Sequence, residues 1–307
     1  MSTGANPSHI RELETIVGSN KLDLLRRIVA TRRVLYDAVG HFYDDDGWAM
    51  ASHLAISALM ALFPFLIFAT TLASFLGADA FAETAVHLVF DTWPEQIAAP
   101  IAREVVNVLT VPRTDLLTYG VVLAAYFASN GVEALRTSLN RAYRVVETRS
   151  IWYRRTQSLI FVLIATISFV AISVLLVFAP IIARILEAKF DWIQPYMGTI
   201  TVWRFTVASA VIVFGLFAVH IWLPAGHRRF LSIIPGIIFT LVAWVLGSTI
   251  FAAYLDTFSS YVTTYAGLAS IMIAVVFLYI VSAIFILGGE LNAAISRYLE
   301  ARARVPG

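Results

Sequence analysis

Six stretches of the chain are nearly unbroken in apolar character, and polar or charged segments separate them. They lie near residues 53–76, 115–132, 158–182, 201–223, 231–255 and 268–289. Most reach the ~20 residues that a helix needs to cross the hydrocarbon core of a bilayer. The second is the weakest, because its apolar part runs only from Leu116 to Ser129. Its helical pattern continues into Gly131-Val132-Glu133-Ala134-Leu135, so this helix is expected to run on out of the membrane. The pattern predicts an all-α, polytopic membrane protein: six transmembrane helices with amphipathic surface helices on both sides.

The intervening segments complete the plan. Residues 1–20 read as a flexible tail and residues 298–307 as a second tail, with one membrane domain over 21–297. From Lys21 to Phe42, Leu22, Leu25, Ile28, Val29, Leu35 and Val39 recur at helical spacing among Arg26, Arg27, Arg32 and Arg33. This is the pattern of a basic amphipathic helix, either lying on lipid headgroups or packed on the protein's own cytoplasmic face. The first long apolar run starts near His53, too far along for the core of a cleavable signal peptide. Residues 77–114 are acidic and amphipathic and predict two short surface helices split at Trp93-Pro94, while 183–200 and 256–267 carry interfacial aromatic residues.

Composition supports lipid as the solvent. Of 307 residues, 59% are hydrophobic and 14% charged, with a mean hydropathy of +0.80; a soluble domain averages about 25% charged. Cysteine is absent, which removes disulfides, thiolate metal ligands and cysteine nucleophiles together. The net charge of +2 matters less than its distribution. In a six-span layout, 17 of the 22 Lys and Arg residues fall on one side: the N-terminal segment, the connection from Arg136 to Arg155, Arg228-Arg229 and the tail. The positive-inside rule makes that side cytoplasmic, so both termini are expected in the cytoplasm of a bacterial inner membrane. Anionic headgroups on that side are expected partners, a homo-oligomer stays open, and nucleic acid is not expected, because topology already explains the basic loops.

Polar groups within apolar spans are the sharpest pointers to function, since each costs free energy unless it faces other helices or a wet cavity. The candidates are His53, Asn130, Glu133, Asn140, Arg204, His220, Glu290 and Asn292, with Arg136 and Arg141 at the same membrane depth as Glu290. Glu290 is expected to pair with Arg136 or Arg141, and His220 to be a satisfied core residue. Pro64, Pro235, Gly236, Gly267 and Gly288-Gly289 are candidate helix breaks, with packing kinks as the plainer reading. Ala124, Ala128, Ala125 and Ser129, and likewise Ala243, Gly247, Thr249 and Ala253, place small residues four apart and predict that spans two and five pack in the interior. Asp44-Asp45-Asp46, near His41 and His53, superficially suggests a metal site. Consecutive carboxylates point in different directions on a helix, so a helix N-cap is the expected role and no metal or cofactor is predicted. Signatures of hydrolases, metalloproteases and phosphate loops are absent from the sequence.

Several short motifs occur in a characteristic order. Gly47-Trp48-Ala49-Met50 leads to Leu62-Phe63-Pro64; Asn130-Gly131-Val132-Glu133-Ala134-Leu135 is followed by Leu139-Asn140-Arg141-Ala142-Tyr143; Pro235-Gly236 heads span five; Tyr265-Ala266-Gly267-Leu268 precedes span six and Gly289-Glu290-Leu291-Asn292 closes it. In this order, from about residue 30 to 297, the chain resembles the YihY/BrkB family of bacterial inner-membrane proteins. The resemblance implies a six-helix membrane protein with no agreed activity, some of whose relatives are labelled ribonuclease BN and others virulence or serum-resistance factors. It singles out Pro64, Asn130, Glu133, Asn140, Arg141, Pro235, Gly236, Gly267, Glu290 and Asn292. His53 departs from the family pattern, which often has an aromatic residue there.

Together these features favour transport or translocation of an envelope-related lipid or small solute, without ATP hydrolysis. A non-transporting envelope assembly factor is the alternative, and a membrane-bound hydrolase or ribonuclease a weaker one. A transporter is expected to bring Asn130, Glu133, Asn140 and Glu290 to one cavity.

Overall fold

A computed structural model describes residues 30–75, 117–178, 189–190, 196–257 and 266–303. The two tails, apart from 298–303, the acidic segment 77–114, most of 183–200 and most of 256–267 lie outside the described residues. Helix α1 covers residues 30–44. It is followed by α2 (Gly47–Phe75), α3 (Leu117–Ala142), α4 (Ile151–Ser173), α5 (Met197–Trp222), α6 (Phe230–Thr257) and α7 (Ala266–Ala303). A wider π turn, Val174–Phe178, prolongs α4. The described residues contain no strand, and the chain is an all-α polytopic membrane protein.

Five of these helices, α2, α4, α5, α6 and α7, are long and apolar enough to cross a bilayer. Helix α3, expected as the second of six spans, is not among them, so the number of spans is at least five rather than an established six. The reason lies in its composition. Leu117–Ser129 amounts to only about 20 Å of apolar helix, and the remainder carries Asn130, Glu133, Arg136, Thr137, Asn140 and Arg141. The continuation of α3 into a polar segment is as the sequence pattern predicts.

Helix α7 forms the centre, packed on α6, α2 and α3. Near the arginine-rich end, its Ala283, Phe285 and Ile286 meet Ala51 and Leu54 of α2, Ala134, Leu139 and Ala142 of α3, Leu216 of α5, and Ile233 and Ile237 of α6. Toward the other end, Ala274 and Phe277 of α7 meet Phe251 and Leu255 of α6. The outward faces stay apolar and exposed, as with Ile160, Ile164 and Ile167 on α4 or Val242, Val245 and Ile250 on α6. Such continuous apolar surface is suited to lipid.

Small residues set the closest approaches. A side chain on Gly236 would lie 2.1 Å from the Gly288 carbonyl, and one on Gly288 would lie 2.1 Å from Thr240 Oγ1. Helices α6 and α7 therefore cross backbone to backbone at these two residues. Gly289 faces the opposite way, toward Ala142 and Leu139 of α3, and Gly131 of α3 faces Ala61 of α2. The small face of α3 is indeed buried at Ala124, Ala128 and Ser129. Helix α6 packs on α7 and, near its start, on α5, and only part of its small-residue face is covered. Gly236, Thr240, Trp244 and Gly247 face α7, whereas Thr249 and Ala253 are exposed.

The candidate breaks fall within continuous helices, in keeping with the plainer reading. Pro64 and Pro235 sit inside helices that run past them, and α7 continues through Gly288-Gly289 to Ala303. Each proline removes one backbone donor, which tightly packed neighbours tolerate. Gly267 lies in the first turn of α7.

Candidate functional site

The described structure concentrates its buried polar side chains at the arginine-rich end of the bundle. Three groupings occur there, and the first is built around Arg136 of α3. Its guanidinium is 1% exposed and pairs with Glu133 one turn earlier. It also donates to Gln157 Oε1 (3.0 Å), Ser158 Oγ (3.0 Å) and the carbonyls of Arg154 (3.2 Å) and Leu223 (3.3 Å). Ser158 in turn donates to Glu133 at 2.7 Å. Arg149 donates to the same Leu223 carbonyl at 2.8 Å, and Gln157 Nε2 donates to the Trp222 carbonyl at 2.8 Å. Those carbonyls end α5 at Pro224, where a helix leaves acceptors unsatisfied and its dipole negative. Two guanidiniums and an amide thus cap α5 from outside.

Glu147 and Asn140 lock the same layer. Glu147 accepts both Arg149 Nε (2.7 Å) and Nη2 (2.6 Å), a bidentate pair. Asn140 donates to Glu147 at 3.0 Å and accepts the Ala225 N–H at 2.7 Å. The Arg149 guanidinium, with help from Asn140, holds the Glu147 carboxyl down at about 2, against its ordinary 4.5. Asn130, by contrast, is exposed and accepts from Arg155 at 2.9 Å on the outer surface of α3.

The second grouping is a directed chain of hydrogen bonds. Asn292, fully buried on α7, accepts the Gly236 N–H at 2.7 Å through Oδ1, which leaves its Nδ2 to donate to the Tyr143 hydroxyl at 3.2 Å. That oxygen is then an acceptor, so its proton points to His220 Nδ1, 2.9 Å away. His220 is therefore the neutral tautomer protonated at Nε2, and that nitrogen is buried without a hydrogen-bond partner. It is a half-satisfied core histidine, not the fully satisfied one expected. Burial raises the Tyr143 phenol to about 12, so it stays protonated.

The third grouping corrects two expectations. Glu290, 1% exposed, faces Arg144 Nη2 at 3.5 Å and pairs with neither Arg136 nor Arg141. Arg136 is engaged by Glu133, and Arg141 reaches out to Asp46 at 3.2 Å. Arg144 follows the end of α3 with φ 55°, which turns it back toward α7, and its Nε also lies 3.6 Å from Asp45. One oxygen of Glu290 has no hydrogen bond. The carboxylate of Asp46 goes to Arg141 rather than to capping α2; what it gives that helix is its backbone carbonyl, which accepts the Met50 N–H at 3.0 Å.

A cavity of about 600 Å³ opens beside these groupings, between the α5–α6 turn and the last turns of α7. Tyr143, Arg228, Arg229, Ser232 and Arg297 are among its walls. Asn130, Glu133, Asn140 and Glu290 are not, so the four residues expected to converge on one cavity do not. His53 lies exposed on α2, and Arg204 lies far along α5, donating to the Leu176 carbonyl at 3.4 Å. Among the described residues no three His, Asp or Glu side chains gather within reach of one metal ion. The sequence pattern does not single out Tyr143, Glu147, Arg149, Gln157 and Ser158 as site residues. A long basic loop resembles a topology signal whether its arginines face lipid or fold inward.

A family model described as Virulence factor BrkB matches residues 38–306. A protein of Bacillus subtilis (strain 168), named "Putative ribonuclease-like protein YfkH", is 31% identical over 261 residues, covering 82% of this chain and 91% of that relative. A "UPF0761 membrane protein" of Coxiella burnetii (strain Dugway 5J108-111) is 25% identical over 263 residues, covering 83% and 90%. No solved structure matches the chain.

Proposed function

Since this chain belongs to the BrkB family of multi-pass membrane proteins, we propose that it moves an envelope-related lipid or small solute across a bacterial inner membrane, without hydrolysing ATP. The observation that carries this reading is Glu290, a carboxylate 1% exposed on the most central helix, whose Oε2 makes no hydrogen bond and has only the Arg144 guanidinium at 3.5 Å. A purely structural clamp gains most when every lone pair is satisfied, whereas an ionisable group left partly unsatisfied inside a membrane protein marks a ligand or proton site. The arginine-rich end faces the cytoplasm in this reading, with both termini there and its exposed arginines against anionic headgroups.

The carboxylates favour a carrier over an enzyme. Glu133, Glu147, Asp46 and Asp37 are each taken by an arginine of their own, which leaves no pair of them poised for acid–base work. The ribonuclease-like name belongs to one relative. A second reading, an envelope assembly factor that transports nothing, draws support from the dispersal of Asn130, Glu133, Asn140 and Glu290 over separate contacts.

Purified protein in liposomes, assayed for protein-dependent movement of fluorescent phospholipid and of small anions, separates the two. Flux above empty vesicles that falls in Glu290→Gln is the expected result. Absence of flux for every probe in well-folded protein would favour the assembly factor, and equal flux in the variant would remove Glu290 from the mechanism.

A further inference from the structure

The cavity at the arginine-rich end combines three features that the groupings beside it lack: open volume, unneutralised positive charge and an apolar wall. Its volume of about 600 Å³ falls within the ~300–1,000 Å³ of small-molecule sites. Three guanidiniums line it, from Arg228, Arg229 and Arg297, against one carboxylate, Glu300. Arg297 is shared with Asp37 of α1 at 3.3 Å. Arg229 is exposed at the rim.

Arg228 is the informative residue. Its guanidinium lies over the Tyr143 ring, 4.0 Å from the centroid, and Nη2 donates to the Ala225 carbonyl at 2.9 Å. Nη1 is buried with no hydrogen-bond partner. Tyr143 is in turn held by Asn292 and His220, so the guanidinium rests on a fixed platform. Burial, and to a lesser degree the nearby Arg149, pulls Arg228 below its ordinary value, while Tyr143 acts the other way. A half-buried cation with one nitrogen unbonded, held in place in the wall of an open cavity, is better satisfied with an anion beside it. The Ser232 hydroxyl, in the first turn of α6, donates to the Arg229 carbonyl at 2.7 Å and so steadies the arginine turn, and Val145, Ala293 and Leu299 supply apolar surface.

We propose that this cavity binds a phosphate ester, its phosphate held by Arg228, Arg229 and Arg297 and its carbon portion against the apolar wall. Guanidinium forks match phosphate oxygens in geometry as well as charge. Binding itself is independent of the transport reading; only the fate of the bound molecule rests on that reading, whose substrate chemistry this site then supplies. The same chemistry is offered by a soluble phosphate ester and by a phospholipid headgroup.

Full-length protein in dodecyl maltoside, which carries no phosphate, titrated with glycerol phosphate and followed by phosphorus NMR, tests the soluble source. Native mass spectrometry of the detergent-solubilised protein, titrated with phosphatidylglycerol against phosphate-free diacylglycerol, tests the lipid source. Binding of either phosphate probe, weakened roughly tenfold or more in both Arg228→Gln and Arg229→Gln, is the expected result. Arg229 is exposed and supports no packing, so its variant stays folded if Arg228→Gln does not. If neither probe binds, or the Arg229→Gln protein binds as tightly as the parent, the site is overturned. Binding without any flux would retain this site and remove the transport reading; flux without binding would do the reverse.

Discussion

Oδ1 of Asn292 accepts the backbone N–H of Gly236 at 2.7 Å, joining the start of α6 to the middle of α7 at a point where no solvent reaches. The bond also fixes which way the Asn292 amide points, and through it the proton order of Tyr143 and His220.

Replacing Asn292 by alanine takes from that N–H its side-chain acceptor and from the Tyr143 oxygen one of its two hydrogen bonds. The expected loss is about 1–3 kcal/mol, seen as a lower Tm for the detergent-solubilised protein. Tyr143→Phe should cost less alone, and the double variant should lose less than the two singles combined, because Asn292 and Tyr143 share a bond. Strict additivity would show that the chain is not a unit.

Glycine replacements should divide sharply by position. Gly236→Ala and Gly288→Ala each put a methyl group 2.1 Å from a neighbouring oxygen, so both should abolish a monodisperse peak in size-exclusion chromatography or lower Tm severely. Gly215→Ala, on α5 with nothing within 4 Å, should leave Tm unchanged or raise it, since alanine is the better helix former.

The Glu147–Arg149 pair predicts an acid-labile layer. Glu147 has its folded value lowered to about 2 from an ordinary 4.5. Its stabilisation is therefore complete above about pH 4.5 and is lost as pH falls toward 2. Thermal melts of the parent should fall faster than those of Glu147→Gln across that window, and the two should run parallel between pH 6 and pH 8, with the variant lower throughout.

Topology can be read with reporters. An alkaline phosphatase fusion after Gly307 should be inactive and a green fluorescent protein fusion there bright, as the distribution of arginines requires. Active phosphatase at that position would invert the whole assignment.

The helices were legible in the sequence because lipid solvation demands long apolar runs, and five such runs reappear as long apolar helices. Their ends were less so. Helix α4 starts at Ile151 rather than near 158, since Ser150 caps it by accepting the Tyr153 N–H and Arg154 lies inside its first turns. Helix α7 outlasts its apolar run by 14 residues, to Ala303, because Glu290 and Asn292 are buried by neighbours rather than exposed at an interface.

Pairing was the least legible level. Arg136, Arg141 and Arg144 are close in sequence, and only the faces that α3 and α7 turn to each other, with the left-handed backbone at Arg144, decide which one meets Glu290. Asn292 was singled out by its position at the end of a span, but its partners Gly236 and Tyr143 lie 56 and 149 residues away. No local pattern encodes such distances.

Gly288 and Gly289 are adjacent, yet one is pressed against α6 and the other against α3. Turning α7 about its own axis by a single residue, about 100°, would drive Leu287 into the seam with α6 or Glu290 into the seam with α3. The three helices are thus geared as one block. Among the described helices, motion that accompanies function then belongs to that block as a whole, with α2 packed on it, or to α4 and α5 shifting against it.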